Sequence, residues 1–411
     1  MHRRHLLAAS LFGLTPASGG VEPRPLPPVA LRERDPEAYW AKIREDQFLL
    51  PPWRHFLNNG SLGVTPRPVL AAMEQWLEHA ASLVADDYPR WGYETLDAER
   101  AEMAAFLGCK MEELAFTHNC TEAMSTVVAG LRLKSGDEVV MTDHEHVSGK
   151  APWHLKAKRD GVVIREVKIP HPPRNAGQLA DLMISSLGPR TRVLFFSGIL
   201  SHTGVVMPVR EICRAARERG VITLVDGAHM NGQIPLRIAE LGCDYYAGSP
   251  HKWMFAPAGC GILYIREENL DKIDPTMVTG DWDNASLKAA RFMKIGTQNK
   301  VTIVGMLAGL RFLRELGAEA IYARIHQLAR RNYEMARQRS YVQVLSSEDH
   351  TLYGALTCVD FGERDISKMW AALRAKRVWT LTSQKVRIST HIHTRPEDLE
   401  AFWTTADSVL A

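Results

Sequence analysis

Long hydrophobic runs are missing from this 411-residue chain; no stretch reaches the roughly 20 apolar residues of a membrane-spanning helix. Surplus charge is missing too. Lys and Arg number 50 against 47 Asp and Glu, a formal net charge of +3, and the two signs are interleaved throughout. With no basic stripe carrying aromatics, nucleic acid is not an expected partner. Cysteine is scarce: six residues (Cys109, Cys120, Cys213, Cys243, Cys260 and Cys358) with no CxxC spacing and no paired clusters. That excludes a zinc ribbon or a disulfide framework, and most of the six sit in apolar contexts where a free thiol acts as a small hydrophobe. Internal repeats are absent.

What is present is a large apolar fraction, 45%, enough for a sizeable core and two domains. The N-terminus reads MHRRHLLAASLFGLTPASGG. Arg3 and Arg4 precede a short apolar stretch and then small residues, the order of a twin-arginine export signal. The expectation is a signal over residues 1–20 and an exported, periplasmic protein. A proline-rich linker and N-terminal arm (21–56) follow.

From about residue 90 to 265 strand-like and helical segments alternate. LAFT, EVVMTD, VVIREV, RVLFFSGI and VITLVD read as strands, several of them apolar on both faces. YETLDAERAEMAAFLG, NCTEAMSTVVAGL, PWHLKAKRDG and PVREICRAARERG read as helices. This pattern predicts an α/β domain over 57–295, built on a mainly parallel sheet covered on both sides. Residues 296–411, with a long helical stretch and then short strands, predict a smaller α+β domain. Ligands of such sheets bind where strands end: Thr117–Thr121, Asp143–His146, Ser197–Ser201 and Asp226–His229.

Between two apolar segments lies GSPHKW, with Lys252. A lysine there either snorkels to water or is held with its amine deprotonated, ready to attack a carbonyl. The second reading needs company. A pyridoxal phosphate cofactor would need a carboxylate at its ring nitrogen, and Asp226 ends an apolar strand; a turn or cap role is open to it as well. Its phosphate would need N–H groups at a helix start. Asn119, Cys120 and Thr121 offer them, with Ser249 and His251 flanking the lysine, though Asn119 or Thr121 also suits an ordinary N-cap. Its ring would need a flat partner, His144 or His146. HEH at 144–146 and HIH at 391–393 could instead be metal ligands, making a hydrolase the rival of another class.

In this order along one chain, these residues resemble the class V aminotransferases, fold-type-I pyridoxal-phosphate enzymes that include cysteine desulfurases and isopenicillin N epimerase-like proteins. The resemblance runs from FLNNGSLGVTPRPV to KVRISTHIHTRPEDLE. It implies that Lys252 in SPHKW forms the Schiff base, with Ser249 and His251 near the phosphate and Asp226 in VDGAH at the pyridine nitrogen. EHVSGKAPW makes His146 the stacking histidine. NCTEA points to Thr121 at the phosphate, and KIGTQN implies a homodimer in which Gly296 and Thr297 reach the neighbouring subunit's phosphate. VRIS implies Arg387 on a substrate α-carboxylate.

The departures from the family pattern narrow the expectation. His229 stands at the desulfurases' glutamine position, as donor to the cofactor's phenolate oxygen. Ser201 or His202 stands where many members have asparagine, and Gly149 replaces another asparagine. RAKRVWTLTSQKVRIS lacks the desulfurases' loop cysteine, and Cys358 in YGALTCVDF reads as strand packing, which argues against persulfide chemistry. FLNNGSLG is similar to the epimerase-like branch, with Asn58 and Asn59 near substrate or in a polar turn. Arg90 is a second anion contact or a surface arginine. The expected activity is aminotransferase-type, on the amino group or Cα of an amino acid or peptide. Epimerisation or β-elimination is the alternative.

Overall fold

The computed structural model describes residues 20–83 and 91–411. Arg90 and all of the expected export signal except Gly20 lie outside them.

The centre is a seven-stranded sheet. Its strands are β1 (Leu114–Thr117), β2 (Glu138–Thr142), β3 (Val163–Val167), β4 (Thr191–Ser197), β5 (Ile222–Asp226), β6 (Tyr245–Gly248) and β7 (Gly261–Ile265). They lie in the order β1-β7-β6-β5-β4-β2-β3. All neighbours are parallel except β7, which runs antiparallel to β1 and β6. Every residue of β2, β6 and β7 is buried, as expected of strands covered on both faces. The edge strand β3 is largely open instead, and its Arg165 reaches back to pair with Glu138 at 3.0 Å.

Three elements differ from the sequence-based expectation. The apolar segments on either side of GSPHKW supply two further strands, β6 before it and β7 after it. The link from β6 to β7 holds only α3 (Pro250–Trp253) and lacks the full crossover helix of a parallel return, so the chain comes back antiparallel. The helix expected to open at Pro152 opens earlier, as α2 (Val147–Asp160). His146 caps it, Nδ1 accepting from the Ser148 N–H at 3.1 Å. Pro152 therefore removes one hydrogen bond from inside the helix rather than starting it.

The C-terminal unit is built on β8 (Leu356–Asp360), which pairs antiparallel with β9 (Lys385–Ser389) and with the two-residue strand Gln343–Val344. Helices Ser367–Ala375 and Pro396–Leu410 join its core. The main hydrophobic core does not stop at the expected 295/296 boundary. It continues through α4 (Lys300–Leu316) into α5 (Ala318–Arg337) as far as Ile325. The second core takes over at Leu328 and includes Leu57. Leu57 belongs to it because His55–Phe56 pairs with Val378–Trp379 and Asn58 bridges to Ser389. That path delivers the FLNNGSLG segment to the carboxyl edge of the large sheet.

Candidate active site

Lys252 follows β6 on the one-turn helix α3, and its surroundings are close. A Cβ at Gly63 would lie 2.4 Å from the Lys252 carbonyl oxygen, so glycine is required where FLNNGSLG crosses the lysine turn. Gly63 N–H donates to the His251 carbonyl at 2.9 Å. Lys252 Nζ lies 3.2 Å from His229 Nε2. Burial lowers the lysine's pKa; Asp226 and the Cys120 thiol oppose that, and Arg387 reinforces it. Among the described residues no ion pair holds the amine.

Asp226 ends β5 and is buried. Its Oδ1 accepts from the Ala228 N–H at 2.8 Å and from the Cys120 thiol at 3.3 Å. One oxygen thus makes the turn that the sequence allowed, and both of these bonds fall on Oδ1. Cys120 opens α1 (Cys120–Gly130), and its side chain serves the aspartate. Asn119 caps this helix, Oδ1 accepting from the Glu122 N–H at 2.9 Å. Its carboxamide oxygen is therefore committed, and an anion here would meet the first-turn N–H groups, which have no intrahelical acceptor. Thr121 is exposed on the same turn.

Of the two candidate stacking histidines, His146 stands by the lysine. Burial lowers its pKa first, and Lys252 and Asp226 are its strongest charged neighbours. His144 packs away from them, its ring 5.1 Å from that of His171. Gly149 is glycine for steric reasons, since a Cβ there would lie 2.8 Å from the Phe195 ring. Between the two histidines stands Glu145, which the sequence motifs did not single out. It is buried, accepts from Thr142 Oγ1 (2.5 Å), Ser197 Oγ (2.5 Å) and the Ser197 N–H (3.1 Å), and ties the ends of β2 and β4 together. Burial raises its pKa to about 7.

Arg387 projects from β9 into the same place and is 5% exposed. Nη1 donates to the Ser201 carbonyl at 2.9 Å, and Nη2 to Ser61 Oγ at 3.0 Å and Asn58 Oδ1 at 3.3 Å. Nε is buried with no partner, and no carboxylate pairs with this guanidinium among the described residues. Burial lowers its pKa to about 10. A buried guanidinium lacking a counter-ion is built for an anion that arrives from outside.

Asn59, expected near substrate, is occupied otherwise. Its Nδ2 donates to the Lys252 carbonyl at 2.7 Å and its Oδ1 accepts from His393 Nε2 at 3.1 Å. Asn58 is the one that meets Arg387. Ser249 is buried, and its carbonyl accepts from the Lys252 N–H at 3.2 Å. His251 donates from Nδ1 to the Cys260 carbonyl at 3.1 Å. Gly296 and Thr297 are not joined to the lysine cluster within the chain; their loop packs on Trp91 and Gly92, and Thr297 is exposed. The HIH pair is engaged in protein hydrogen bonds. Among the described residues no group of three or more His, Cys, Asp or Glu could hold a metal ion.

The class V aminotransferase family model matches residues 55–402. Isopenicillin N epimerase from Streptomyces clavuligerus is 31% identical, over 78% of this chain and 83% of that one. A probable cysteine desulfurase from Pyrococcus abyssi is 27% identical, over 68% of this chain and 72% of that one. A solved structure of a C-DES mutant, with glycine covalently linked to its PLP cofactor, superposes with a TM-score of 0.75. It is 26% identical and covers 86% of this chain and 96% of that one. The chain belongs to the class V aminotransferase family.

Proposed function

We propose that this member of the family is a pyridoxal-phosphate-dependent enzyme that acts at the amino group and Cα of an amino acid or peptide, with transamination as its net reaction. The carrying observation is the juxtaposition of a half-buried lysine amine held by no ion pair with a buried guanidinium that has no counter-ion.

The residues present fit the cofactor. Lys252 would hold it covalently, Asp226 Oδ2 would face the ring nitrogen, and the first turn of α1 with Thr121, Ser249 and His251 would take the phosphate. His146 would cover the ring, with Ser201 and His229 beside it. When bound, the cofactor supplies an electron sink for the pair left when a Cα bond breaks. The chain does the rest. Arg387 grips the substrate carboxylate, with Asn58, Ser61 and the Ser201 carbonyl fixing the guanidinium plane. That fixes which Cα bond faces Lys252. The lysine amine, whose pKa burial lowers, takes the Cα proton at Nζ. Asp226 would keep a proton at the ring nitrogen, and Glu145 holds the strand ends that carry His146 and Ser197 in place.

Similarity to isopenicillin N epimerase supports a second reading, in which the proton returns to Cα from the opposite face. His146 would then donate the proton besides covering the ring; its Nδ1 accepts from Ser148, which supports a proton on Nε2. Cys358 is unsuited to carry a persulfide: it is buried in β8 with its thiol pushed up to about 12.

Two further proposals concern setting. The arginine pair and apolar stretch at residues 1–20 support export, and hence a periplasmic substrate. Exposed Thr297 supports a homodimer in which Gly296 and Thr297 complete the phosphate site of the second copy.

The test is exchange of the Cα proton for deuterium across a panel of amino acids in D2O with added pyridoxal phosphate. Exchange that is absent in Lys252→Ala supports the proposal. Neither exchange nor oxo-acid formation with any substrate would overturn it.

A further inference from the structure

His229 meets a different group at each ring nitrogen. Nδ1 lies 3.3 Å from Trp253 Nε1, and Nε2 lies 3.2 Å from Lys252 Nζ. An indole N–H can only donate, so Nδ1 must be the acceptor. A neutral imidazole has one donor and one acceptor nitrogen, and the second follows from the first. That assigns the proton to Nε2, opposite Lys252 Nζ, and the amine must then be the acceptor of the pair.

The imidazole has strong reason to stay neutral. It is 3% exposed, and burial, then the positive charges of Lys252 and Arg387, push its pKa well below the usual range. The groups acting on the His229–Lys252 pair are Asp226 from β5, Cys120 from α1, Arg387 from β9, and His146 and His251. Of these, only Asp226 and Cys120 favour a charged lysine.

We propose that Trp253 is a positioning residue that locks His229 in its Nε2–H tautomer, so that the imidazole presents a fixed donor at the Lys252 amine. The inference deepens the proposed function and rests on it for its purpose. A glutamine at this position would donate through its amide in either tautomeric setting. A histidine donates at Nε2 in only one tautomer, and so needs a lock that glutamine would not.

The lock is itself braced, by the motif that sequence left open to a metal. His391 Nδ1 accepts from the Ile392 N–H at 2.8 Å, so its Nε2 donates to the Trp253 carbonyl at 3.2 Å. Its ring stacks on the indole at 5.8 Å and 17°. His393 reaches the Lys252 carbonyl by way of Asn59. HIH thus fixes the backbone of two successive residues, the lysine and the tryptophan that sets its neighbour's tautomer.

The test is NMR of the cofactor-free protein labelled with 15N-histidine, with the His229 signals assigned by their loss in His229→Gln. The expected result is a single neutral form, protonated at Nε2, with the Nδ1-protonated form appearing in Trp253→Phe. A Nδ1–H tautomer in the unaltered protein would overturn the proposal, whether or not the variant folds. Pyridoxal phosphate affinity gives a second readout. Trp253→Phe should weaken it about fivefold, the worth of one hydrogen bond, and should have no such effect in a His229→Gln background. Equal losses in both backgrounds would mean that the indole acts by packing alone, which also overturns the proposal. A protein that binds no pyridoxal phosphate would refute the proposed function, while the tautomer seen by NMR would still decide the lock.

Discussion

The carboxamide nitrogen of Asn59 lies 2.7 Å from the carbonyl oxygen of Lys252, and the same side chain accepts from His393. A residue of the FLNNGSLG segment thereby joins the C-terminal unit to the lysine turn. Asn59→Ala would strand two buried polar groups, at a cost of about 2–4 kcal/mol. Urea denaturation of the cofactor-free protein measures this. An unchanged midpoint would show that Asn59 does not brace the turn.

Arg387 has the opposite character, its guanidinium kept free of any carboxylate of the described chain. Arg387→Gln should lower kcat/KM for amino acids about 100-fold, roughly 3 kcal/mol, and change little for the matching amine that lacks the carboxylate. Arg387→Lys should not rescue, because an ammonium cannot reproduce the planar fork. Steady-state kinetics on matched substrate pairs decide it. Equal losses on both members of a pair would place Arg387 elsewhere in the mechanism.

Glu145 predicts a pH dependence with a definite sign. Burial raises its pKa from 4.5 to about 7. The folded state thus binds the proton more tightly than the unfolded state, and stability from this group is present below pH 4.5 and lost as pH rises through about 7. A displacement of that size is worth up to about 3 kcal/mol. Glu145→Gln cannot ionise, so its stability relative to the unaltered protein should improve between pH 5 and 8. Comparing the two proteins cancels the buried histidines, whose lowered pKa values act in the other direction. Parallel pH profiles would show that Glu145 does not titrate there.

Cys358 is expected to be inert. Its thiol is 1% exposed within β8 and pushed up to about 12 by burial. Alkylating reagent at pH 8 should leave it unmodified in the native protein, and Cys358→Ala should retain activity to within about twofold, losing only packing. Mass spectrometry after alkylation reads the first, kinetics the second. Loss of turnover in Cys358→Ala would reopen persulfide chemistry.

The large sheet is legible in the sequence because its central strands are apolar along their whole length and alternate with helices. Lys252, Asp226, His146 and Arg387 are legible because each stands at a strand end or within a motif. The bounds of α2 are not, since a proline inside a helix reads like one at its start, and a histidine is an unexpected cap. Nor is β7, whose antiparallel direction depends on the short link before it. The roles of Asn59, Trp253 and the HIH pair are hidden for another reason: their partners lie far away in sequence. His391 meets Trp253, and His393 meets Asn59, only once the two units have docked. Glu145 lies inside the EHVSGKAPW motif, yet its partner Ser197 belongs to another strand.

Whether Lys252 carries pyridoxal phosphate in this pocket can be read from the visible absorbance of the purified protein, with the cofactor added and the excess removed. The protein should be yellow, with a band that is lost in Lys252→Ala and changes when an amino acid substrate is added. A protein that stays colourless, or a band that Lys252→Ala leaves intact, would refute the assignment of Lys252.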